Sequence, residues 1–358
     1  KASKNFPAHK ILVTGCASQI EKKKFSKLAN VSRIIDNDKK TEFGSYTGAT
    51  SQTKKVFKFP HLGNFISSRS RATLQIQQGC DHRCTFCIIP FGRGDSKSLP
   101  FEEIFKRTEK ILNKGYSEII FTGVDLTSYG HDLPGHPRLG NIIKRLLFSQ
   151  PKLKRLRLSS IDPAEIDSDL FHLLCNEKRL LPHLHLSMQS GDNLILKRMK
   201  RRHNREQVIS LCEKLKSARP EFTFGADVIV GFPTERDQHF LETLNLIKQC
   251  KFSNVHIFPY SPKEGTPASK MPQVPNKIKK ERVKILREES SKILYNQLND
   301  LIGKSTSILF ESYKKSYTDE FLKVNISKCS NFIPKSGSFV NITIVSRQDD
   351  MLIAEIIK

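Results

Sequence analysis

Three cysteines at a characteristic spacing carry the strongest chemical signal in this sequence. Cys80, Cys84 and Cys87 form a C-x₃-C-x₂-C arrangement within residues 78–87. Thiolates are soft ligands that prefer iron–sulfur clusters, Zn²⁺ or Cu⁺ over hard cations. A [4Fe–4S] cluster held by only three thiolates keeps one iron open, and an open iron can bind a substrate or a cofactor. The spacing therefore predicts a metal site with a free coordination position.

Two simpler interpretations compete with a cluster. Structural zinc sites are usually built from a C-x₂-C pair with a second Cys or His pair downstream, and no such pair follows here. His82 could complete a zinc site, but it lies between its would-be partners on a tight loop. Chance clustering of thiols that bind no metal is the second of these simpler interpretations.

The cysteine spacing, with Phe86 just before the last thiol, resembles the signature of the radical S-adenosylmethionine (SAM) enzymes. In that superfamily the open iron binds the amino and carboxylate groups of SAM. One electron then splits SAM and produces a 5′-deoxyadenosyl radical. The resemblance implies that Cys80, Cys84 and Cys87 hold the cluster and that Phe86 lies beside the cofactor.

A repeated alternation of strand-like and helix-like segments follows from Arg71 onwards. Five helical segments separate six apolar strand-like segments. The predicted strands are 73–78, 117–122, 154–159, 183–188, 222–230 and 254–258, and the predicted helices are 101–114, 139–149, 163–175, 204–219 and 237–250. Six strands are fewer than the eight of a closed barrel. The pattern therefore predicts an α/β fold with a partial (β/α)₆ barrel that is open on one side.

Polar or glycine-containing motifs follow all six predicted strands. Active groups of such barrels collect at the carboxyl ends of the strands, so these motifs are expected to meet at one mouth. The six motifs are 80–87, 123–125, 159–160, 189–191, 231–235 and 259–261. Loops are often polar and rich in glycine, but six in register with a cysteine motif on the first favour an active site.

The two ends of the chain predict smaller units. Residues 1–66 read as the remnant of a β-α-β unit followed by a linker, and residues 67–295 as the barrel domain. Residues 296–358 alternate apolar and polar residues in short segments, which predicts a small antiparallel β-barrel. Such barrels often bind single-stranded nucleic acid. A basic helix predicted at 276–299 is expected to contact phosphate groups.

Charge and composition narrow the partners. Lys and Arg number 60 against 36 acidic residues, a formal charge of +24 that favours nucleic acid over a membrane surface. No apolar run is long enough to span a membrane, and eight cysteines are too few for a disulfide scaffold, so we expect a cytoplasmic protein. The chain begins at Lys1 without an initiator methionine, which makes a fragment plausible.

Seven stretches resemble the methylthiotransferases of the radical SAM superfamily, and together they span most of the chain. They are 80–93, 122–130, 157–162, 183–191, 197–202, 227–235 and 258–268. The C-terminal barrel is similar to the TRAM domain of that family, an RNA-binding module. The stretch GVDLTSYG at 123–130 resembles the branch that modifies N6-threonylcarbamoyladenosine next to the anticodon of tRNA. Branches that modify isopentenyladenosine or a ribosomal protein aspartate are close relatives.

The resemblance implies a transferase that adds a methylthio group to C2 of the adenine, with SAM as its cofactor. It also implies a SAM site at the barrel mouth. Gly123 and Asp125 would lie near the amino group, Ser159 and Gln189 at the mouth, and Val230 with Gly231 beside the adenine. SAM needs charged and backbone partners for its zwitterionic end and an apolar surface for its adenine.

The family's N-terminal domain uses three cysteines to hold a second [4Fe–4S] cluster, and Cys16 matches only the last of them. The other two would lie upstream of Lys1. We therefore expect the chain as given to bind the iron of one cluster, to cleave SAM, and to insert sulfur poorly.

By the same resemblance, the partners are the tRNA anticodon loop and a low-potential donor such as flavodoxin or ferredoxin, and the chain is expected to be a monomer. Two other functions stay open. One is a radical SAM enzyme that acts on a protein or a small molecule. The other is a non-catalytic RNA-binding or zinc protein.

Overall fold

The computed structural model describes residues 5–6, 8–40, 42–47, 59, 70–327 and 334–357. It contains a short N-terminal α/β segment, a central α/β barrel and a small C-terminal β-barrel. No helix in these ranges is both long and apolar enough to cross a membrane.

The N-terminal segment is built on two parallel strands. Strands β1 and β2 pair over four register positions, as the β-α-β pattern predicts. Its elements are β1 (Ile11–Thr14), α1 (Cys16–Ile20), α2 (Lys22–Ser26), β2 (Val31–Ile35) and α3 (Gly44–Thr47). The single helix predicted up to about residue 30 is instead two short helices that meet at Glu21. The predicted linker lies mostly outside the described residues.

Parallel strands in sequence order form the central barrel. The strands are β3 (Arg71–Gln75), β6 (Glu118–Thr122), β7 (Arg155–Leu158), β8 (Ser160–Ile161), β9 (His183–Gln189), β10 (Thr223–Val230) and β11 (Asn254–Pro259). They form a three-stranded sheet, β3-β6-β7, and a four-stranded sheet, β8-β9-β10-β11. The third predicted strand, 154–159, corresponds to β7; β8 follows it after an interruption at Ser159 and begins in the segment predicted as a polar loop. Because β11 and β3 do not pair, the barrel stays open, and the prediction of a partial (β/α)₆ barrel is confirmed.

Two short helices, α4 (Ile89–Arg93) and α8 (Asn193–Met199), lie next to the cysteine loop. The other helices pack on the strands through the main core. They are α5 (Phe101–Asn113), α6 (Leu139–Ser149), α7 (Ser168–Asn176), α9 (Arg205–Ala218), α10 (Asp237–Gln249) and α11 (Asn276–Asn299). A short hairpin, β4 (Gln77–Gln78) with β5 (Lys97–Ser98), flanks the cysteine loop. Helix α8 was not predicted. The Asp192 side chain caps it by accepting from Ile195 N, and Lys200 ends it in the left-handed conformation.

The two faces of each barrel strand differ in polarity. In β9, Leu184, Leu186 and Met188 are buried in the core against the helices. The alternate residues, including His185 and Ser187, are less buried and lie on the opposite face, toward the barrel interior. The interior is therefore polar.

The C-terminal barrel closes in the order β12-β13-β14-β16-β15. Its strands are β12 (Ser305–Leu309), β13 (Ser316–Tyr317), β14 (Lys323–Ile326), β15 (Phe339–Gln348) and β16 (Met351–Ile356). A small barrel is confirmed, but the fully antiparallel pairing is wrong, because β14 and β16 run parallel. Strand β13 was missed because two residues are too few to show an alternating pattern.

The C-terminal barrel packs against the amino ends of the central strands. The Phe321 ring lies 5.2 Å from the His183 ring, and the Arg157 guanidinium lies 4.9 Å above Phe321. Thr223 Oγ1 donates a hydrogen bond of 2.6 Å to the Glu320 carbonyl. The loop between β13 and β14 therefore forms the floor of the central barrel.

Helix α11 only partly fulfils the expectation of a phosphate-binding face. Lys279 and Arg282 are buried, at 5% and 3% exposure. Lys279 Nζ donates to the Tyr260 carbonyl at 3.0 Å, and Arg282 pairs with Glu235 at 2.6 Å. These two basic residues hold the helix against the barrel and are not available to RNA.

Candidate active site

The cysteine loop starts from a backbone position that requires glycine. Gly79 has φ +75°, and a Cβ there would lie 2.0 Å from the Asp95 carbonyl oxygen. The next residue, Cys80, donates its N–H to the Gly94 carbonyl at 3.1 Å. The loop is thereby held against the chain that follows the third cysteine.

Contacts to α8 and to the segment after β11 hold the middle of the loop. Thr85 N donates to the Met199 carbonyl at 3.1 Å, and Thr85 Oγ1 donates to the Arg198 carbonyl at 2.8 Å. Ala268 N in turn donates to the Thr85 carbonyl at 2.9 Å. The next residue, Phe86, packs edge-to-face on Phe232 with ring centroids 6.5 Å apart. The loop is therefore tied to the carboxyl ends of several strands.

The three thiols lie near one another on the loop. Cys84 is close enough to Cys80 and Cys87 to raise the pKa of both thiols, although burial is the larger cause for each. Thiolates are soft donors that favour an iron–sulfur cluster, Zn²⁺ or Cu⁺. The donor set therefore fits a soft metal group, and the preference for a cluster over zinc rests on the C-x₃-C-x₂-C spacing.

Burial keeps two of the thiols protonated when no metal is bound. It raises the pKa of Cys80 to about 12, with nearby Asp125 as the second cause. Burial also raises the pKa of Cys87. Metal ligation requires the thiolate, so binding of iron must release these protons.

Arg201 provides a positive charge beside the thiol of Cys84. Its Nη1 lies 3.6 Å from Cys84 Sγ, and its Nη2 donates to Asp162 Oδ2 and to the Ser187 carbonyl, both at 2.7 Å. Cys84 is itself only 8% exposed. The guanidinium can therefore stabilise a thiolate at Cys84. This role was missed because Arg201 lies within a basic run that reads as a solvated surface.

Asp162 is the counter-ion that holds Arg201. Burial opposes ionisation of Asp162, but His203 and Arg201 outweigh it and lower its pKa to about 2. His203 Nδ1 is 3.6 Å from the carboxylate, which is long, whereas the Arg201 contact is 2.7 Å. We therefore assign the larger share of the stabilisation to Arg201.

We expect the Asp162→Asn variant to be less stable by about 2 kcal/mol at pH 7, because the folded pKa lies below the ordinary value. That stabilisation is present above the ordinary carboxyl pKa and is lost as the pH falls toward 2. Urea unfolding should show a gap between variant and native protein that narrows below pH 4. Asp169→Asn, at a half-exposed carboxylate, is the control. Equal stability of Asp162→Asn and native protein at pH 7 would contradict the assignment.

Gln77 connects the cysteine loop to the motif after β6. Its Oε1 accepts hydrogen bonds from the backbone N–H groups of Val124 and Asp125, both at 2.9 Å. Its Nε2 donates to the Gly79 carbonyl at 2.9 Å. A Cβ on Gly123 would lie 2.8 Å from Gln77 Oε1, so glycine is needed there. Gly123 and Asp125 therefore lie beside the cysteines, as predicted.

Asp125 lies in a small ionic network next to Cys80. Its Oδ2 is 2.9 Å from His82 Nε2 and 3.5 Å from Cys80 Sγ. The same His82 nitrogen is 3.4 Å from Glu165, and Arg202 contacts both His82 Nδ1 and Glu165. Both His82 nitrogens have polar partners, and His82, Cys80 and Asp125 place one ligand atom each within 4.8 Å of one another, so the alternative of His82 as a metal ligand stays open. Burial, with Asp125 as the next cause, raises the pKa of Glu165.

The remaining predicted SAM residues divide into two groups. Ser159 Oγ is buried and has no hydrogen-bond partner, which leaves it available to a ligand. Gln189 ends β9 with φ +68°, a strained conformation for a residue with a side chain. Val230 is buried in the core, and a Cβ on Gly231 would meet the Lys279 side chain. Their contact with the adenine stays a prediction.

Cys16 lies close to the cysteine loop. A Cβ on Gly92 in α4 would be 3.1 Å from Cys16 Cβ, so α1 packs directly on α4. Asn37 Nδ2 lies 3.7 Å from Cys16 Sγ and donates to the Gly92 carbonyl at 2.5 Å. The structure thus places this thiol beside the helix that follows Cys87.

Comparisons with known proteins agree with this geometry. Residues 74–247 match the Radical SAM superfamily model. A threonylcarbamoyladenosine tRNA methylthiotransferase, MtaB, of Rickettsia prowazekii is 47% identical over 339 residues, which cover 92% of this chain and 79% of the relative. The enzyme of the same name from Bacillus subtilis is 32% identical over 94% of this chain and 79% of its own length. A tRNA-2-methylthio-N(6)-dimethylallyladenosine synthase of Shouchella clausii is 35% identical over 81% of this chain and 56% of its own. The chain therefore belongs to the radical SAM superfamily and, within it, to the threonylcarbamoyladenosine tRNA methylthiotransferase family.

Proposed function

We propose that this protein is a transferase that adds a methylthio group to C2 of N6-threonylcarbamoyladenosine next to the anticodon of tRNA. One observation carries the proposal. Three cysteines lie at the mouth of an open (β/α)₆ barrel, in a chain that is 47% identical to a relative named for this nucleoside. The closer match to that branch than to the dimethylallyladenosine branch favours the substrate.

When bound, the cluster and SAM would supply a 5′-deoxyadenosyl radical. In the proposal Cys80, Cys84 and Cys87 hold the cluster, and the Arg201 guanidinium stabilises the Cys84 thiolate at 3.6 Å. Phe86 closes one side of the loop by packing on Phe232 and so limits the access of water to the metal. These residues fit the cofactor because their donors are soft and follow the C-x₃-C-x₂-C spacing.

Three side chains and one glycine at the mouth are proposed to position SAM. The Asp125 carboxylate, held in place by Gln77, would accept a hydrogen bond from the SAM amino group. The unpartnered hydroxyl of Ser159 and the side chain of Gln189 would contact the ribose or carboxylate edges. Gly123 would allow the ligand to approach the backbone closely.

The family's second [4Fe–4S] cluster is part of the proposal, with Cys16 as one of its ligands. Its support is the position of Cys16 on α1, packed against α4 next to the cysteine loop. A second cluster there would lie close to the barrel mouth. The expectation that the chain as given holds only one cluster stays a prediction.

The substrate side of the proposal rests on the open barrel and on charge. A single-stranded loop can place one unstacked base into a site that is open at the side. Helix α11 has exposed basic residues, among them Lys277, Lys280 and Arg287. They contribute to the net charge of +24 of the chain, which favours binding to a nucleic acid. We further propose that the protein is a monomer in the cytoplasm and that flavodoxin or ferredoxin supplies the electron for the cluster. The proposed domains are residues 1–66, 67–295 and 296–358. The boundary between the last two domains falls within the final turn of α11.

Deletion of the encoding gene tests the function. Mass spectrometry of tRNA nucleosides should show loss of the methylthio adduct while threonylcarbamoyladenosine itself persists. The intact gene and its Cys175→Ala variant should restore the adduct, and its Cys84→Ala variant should not. Loss of the methylthio adduct of dimethylallyladenosine instead would assign the chain to the other branch. Unchanged nucleosides would contradict a role in tRNA.

A further inference from the structure

Three polar residues on neighbouring strands form a cluster in the barrel interior, below the proposed SAM site. His185 lies on β9, Asp227 on β10 and His256 on β11. Asp227 Oδ1 is 2.9 Å from His185 Nε2 and 3.2 Å from His256 Nδ1. Ser160 Oγ donates to the other oxygen, Asp227 Oδ2, at 3.3 Å. The carboxylate is therefore held from three sides.

The protonation of this cluster follows from its contacts. Burial opposes ionisation of Asp227, but the hydrogen bond from His185 outweighs it, and the pKa of Asp227 is lowered. An ionised carboxylate can only accept hydrogen bonds, so His256 donates through Nδ1. Asp227 thus fixes the orientation of the His256 ring, and the opposite nitrogen, Nε2, can donate to an anionic ligand in the doubly protonated form of the ring.

His256 is accessible, unlike the residues that hold it. Its side chain is 57% exposed, against 14% for His185 and 24% for Asp227. It lies on β11, the strand at the open side of the barrel. Phe258 is 50% exposed on the same face, two residues closer to the mouth, or about 6.6 Å along the strand. An aromatic ring and a fixed imidazole are therefore presented together to the open cleft.

A bound divalent cation is the other arrangement that two histidines and a carboxylate could support. The contacts argue against it. One carboxylate oxygen already accepts a hydrogen bond from each imidazole, and a cation would have to replace both. The His185 ring is further confined because it packs over Gly225. A Cβ atom added to Gly225 would lie only 2.6 Å from His185 Nδ1.

Other cations deeper on the interior face are already engaged. Arg71 pairs with Glu311 at 2.8 Å, Arg155 with Asp319 at 2.7 Å, and Arg157 with Glu118 at 3.1 Å. Each of these carboxylates is one that a new anionic ligand would have to displace. His256 contacts Asp227 through Nδ1, and its side chain is 57% exposed, so a ligand can reach the ring without displacing one of these ion pairs.

We propose that His256, oriented by Asp227, binds the carboxylate of the threonyl group on the adenosine N6 atom, while Phe258 stacks on the base. This inference rests on the proposed function and names the subsite that selects its nucleoside. The two nucleosides in the names of the relatives differ in the N6 substituent, which is acidic in one and a hydrocarbon in the other. A donor that carries positive charge favours the acid, and an unpaired donor disfavours the hydrocarbon.

A binding experiment with two matched RNAs tests this subsite. The probes are an anticodon stem-loop with threonylcarbamoyladenosine and the same stem-loop with the threonyl carboxylate converted to an amide. Native protein should bind the acid about tenfold to a hundredfold more tightly, as expected for a hydrogen bond between charged groups. His256→Ala should lose this preference and keep the affinity of the native protein for the amide. Asp227→Asn should weaken the preference without abolishing it.

The controls separate this role from a structural one. His172→Ala, at an exposed histidine on α7, should behave as native protein. SAM cleavage in the absence of RNA should be unchanged in His256→Ala, and during turnover KM should rise while kcat changes less. Retention of the acid preference by His256→Ala would overturn the inference and leave the proposed function intact. Methylthiolation of a dimethylallyladenosine stem-loop by native protein, with none of the threonylcarbamoyl RNA, would overturn both.

Discussion

Replacing Cys84 with alanine should abolish SAM cleavage. A cluster held by three thiolates has no spare ligand, and the open iron is the position that SAM requires. Cys84 is the most buried of the three and faces the Arg201 guanidinium, so water cannot easily take its place. After anaerobic reconstitution the variant should retain little iron and form no detectable 5′-deoxyadenosine upon reduction. Iron content, the visible absorption of the cluster and product analysis measure this directly.

Cys175→Ala is the matched control, because Cys175 lies on α7 away from the cysteine loop. It should bind iron and cleave SAM like native protein. Native levels of 5′-deoxyadenosine from Cys84→Ala would show that the thiols do not hold the catalytic cluster. Recovery of zinc in place of iron from the native protein would contradict the assignment in another way.

Replacing Glu118 with glutamine should cost about 3–5 kcal/mol of the free energy of unfolding, the usual range for breaking a buried ion pair. The Glu118 side chain is 2% exposed and contacts Arg157 at 3.1 Å, Arg155 at 3.8 Å and Arg71 at 4.0 Å. Its removal leaves these guanidinium groups without the carboxylate they share. Burial already lowers the pKa of Arg157, which shows how poorly this site tolerates uncompensated charge.

The damage should extend to the C-terminal barrel. Arg155 donates to the Ser307 carbonyl at 3.0 Å, and Arg157 donates to the Asp319 carbonyl at 3.1 Å, so both arginines link the two barrels. Urea unfolding should therefore show a lower midpoint, and limited proteolysis should release the C-terminal barrel earlier. Glu213→Gln, at an exposed position on α9, is the control and should change stability by less than about 0.5 kcal/mol. A loss of similar size in both variants would contradict the proposed role of Glu118.

Local patterns in the sequence were sufficient for much of the fold and for the chemistry of the metal site. The spacing of Cys80, Cys84 and Cys87 sets their relative positions on one short loop, whatever the rest of the chain does. Apolar periodicity identified the six barrel strands because each strand buries one face against a helix. The same alternation identified the C-terminal barrel. These features depend on residues that are close in sequence.

Residues that look alike in sequence were separated only by tertiary structure. Lys279 and Arg282 read as parts of a basic surface but are buried against the barrel. Arg201 belongs to a basic run yet contacts Cys84 and Asp162. Val230 was predicted to lie beside the adenine; its side chain is buried in the core, and the contact itself stays a prediction. Whether a charge is solvated or buried depends on which element packs over it, and no local pattern contains that information.

The sequence by itself determined the three-cysteine motif, the six-stranded barrel and the presence of a terminal β-barrel, since each follows from short-range spacing. Tertiary structure alone decided how Gln77 holds Asp125 beside the cysteines and how His185 and Asp227 orient His256. These contacts join residues that are 29 to 48 positions apart. They depend on the order and register of neighbouring strands, which the packing of the whole barrel sets.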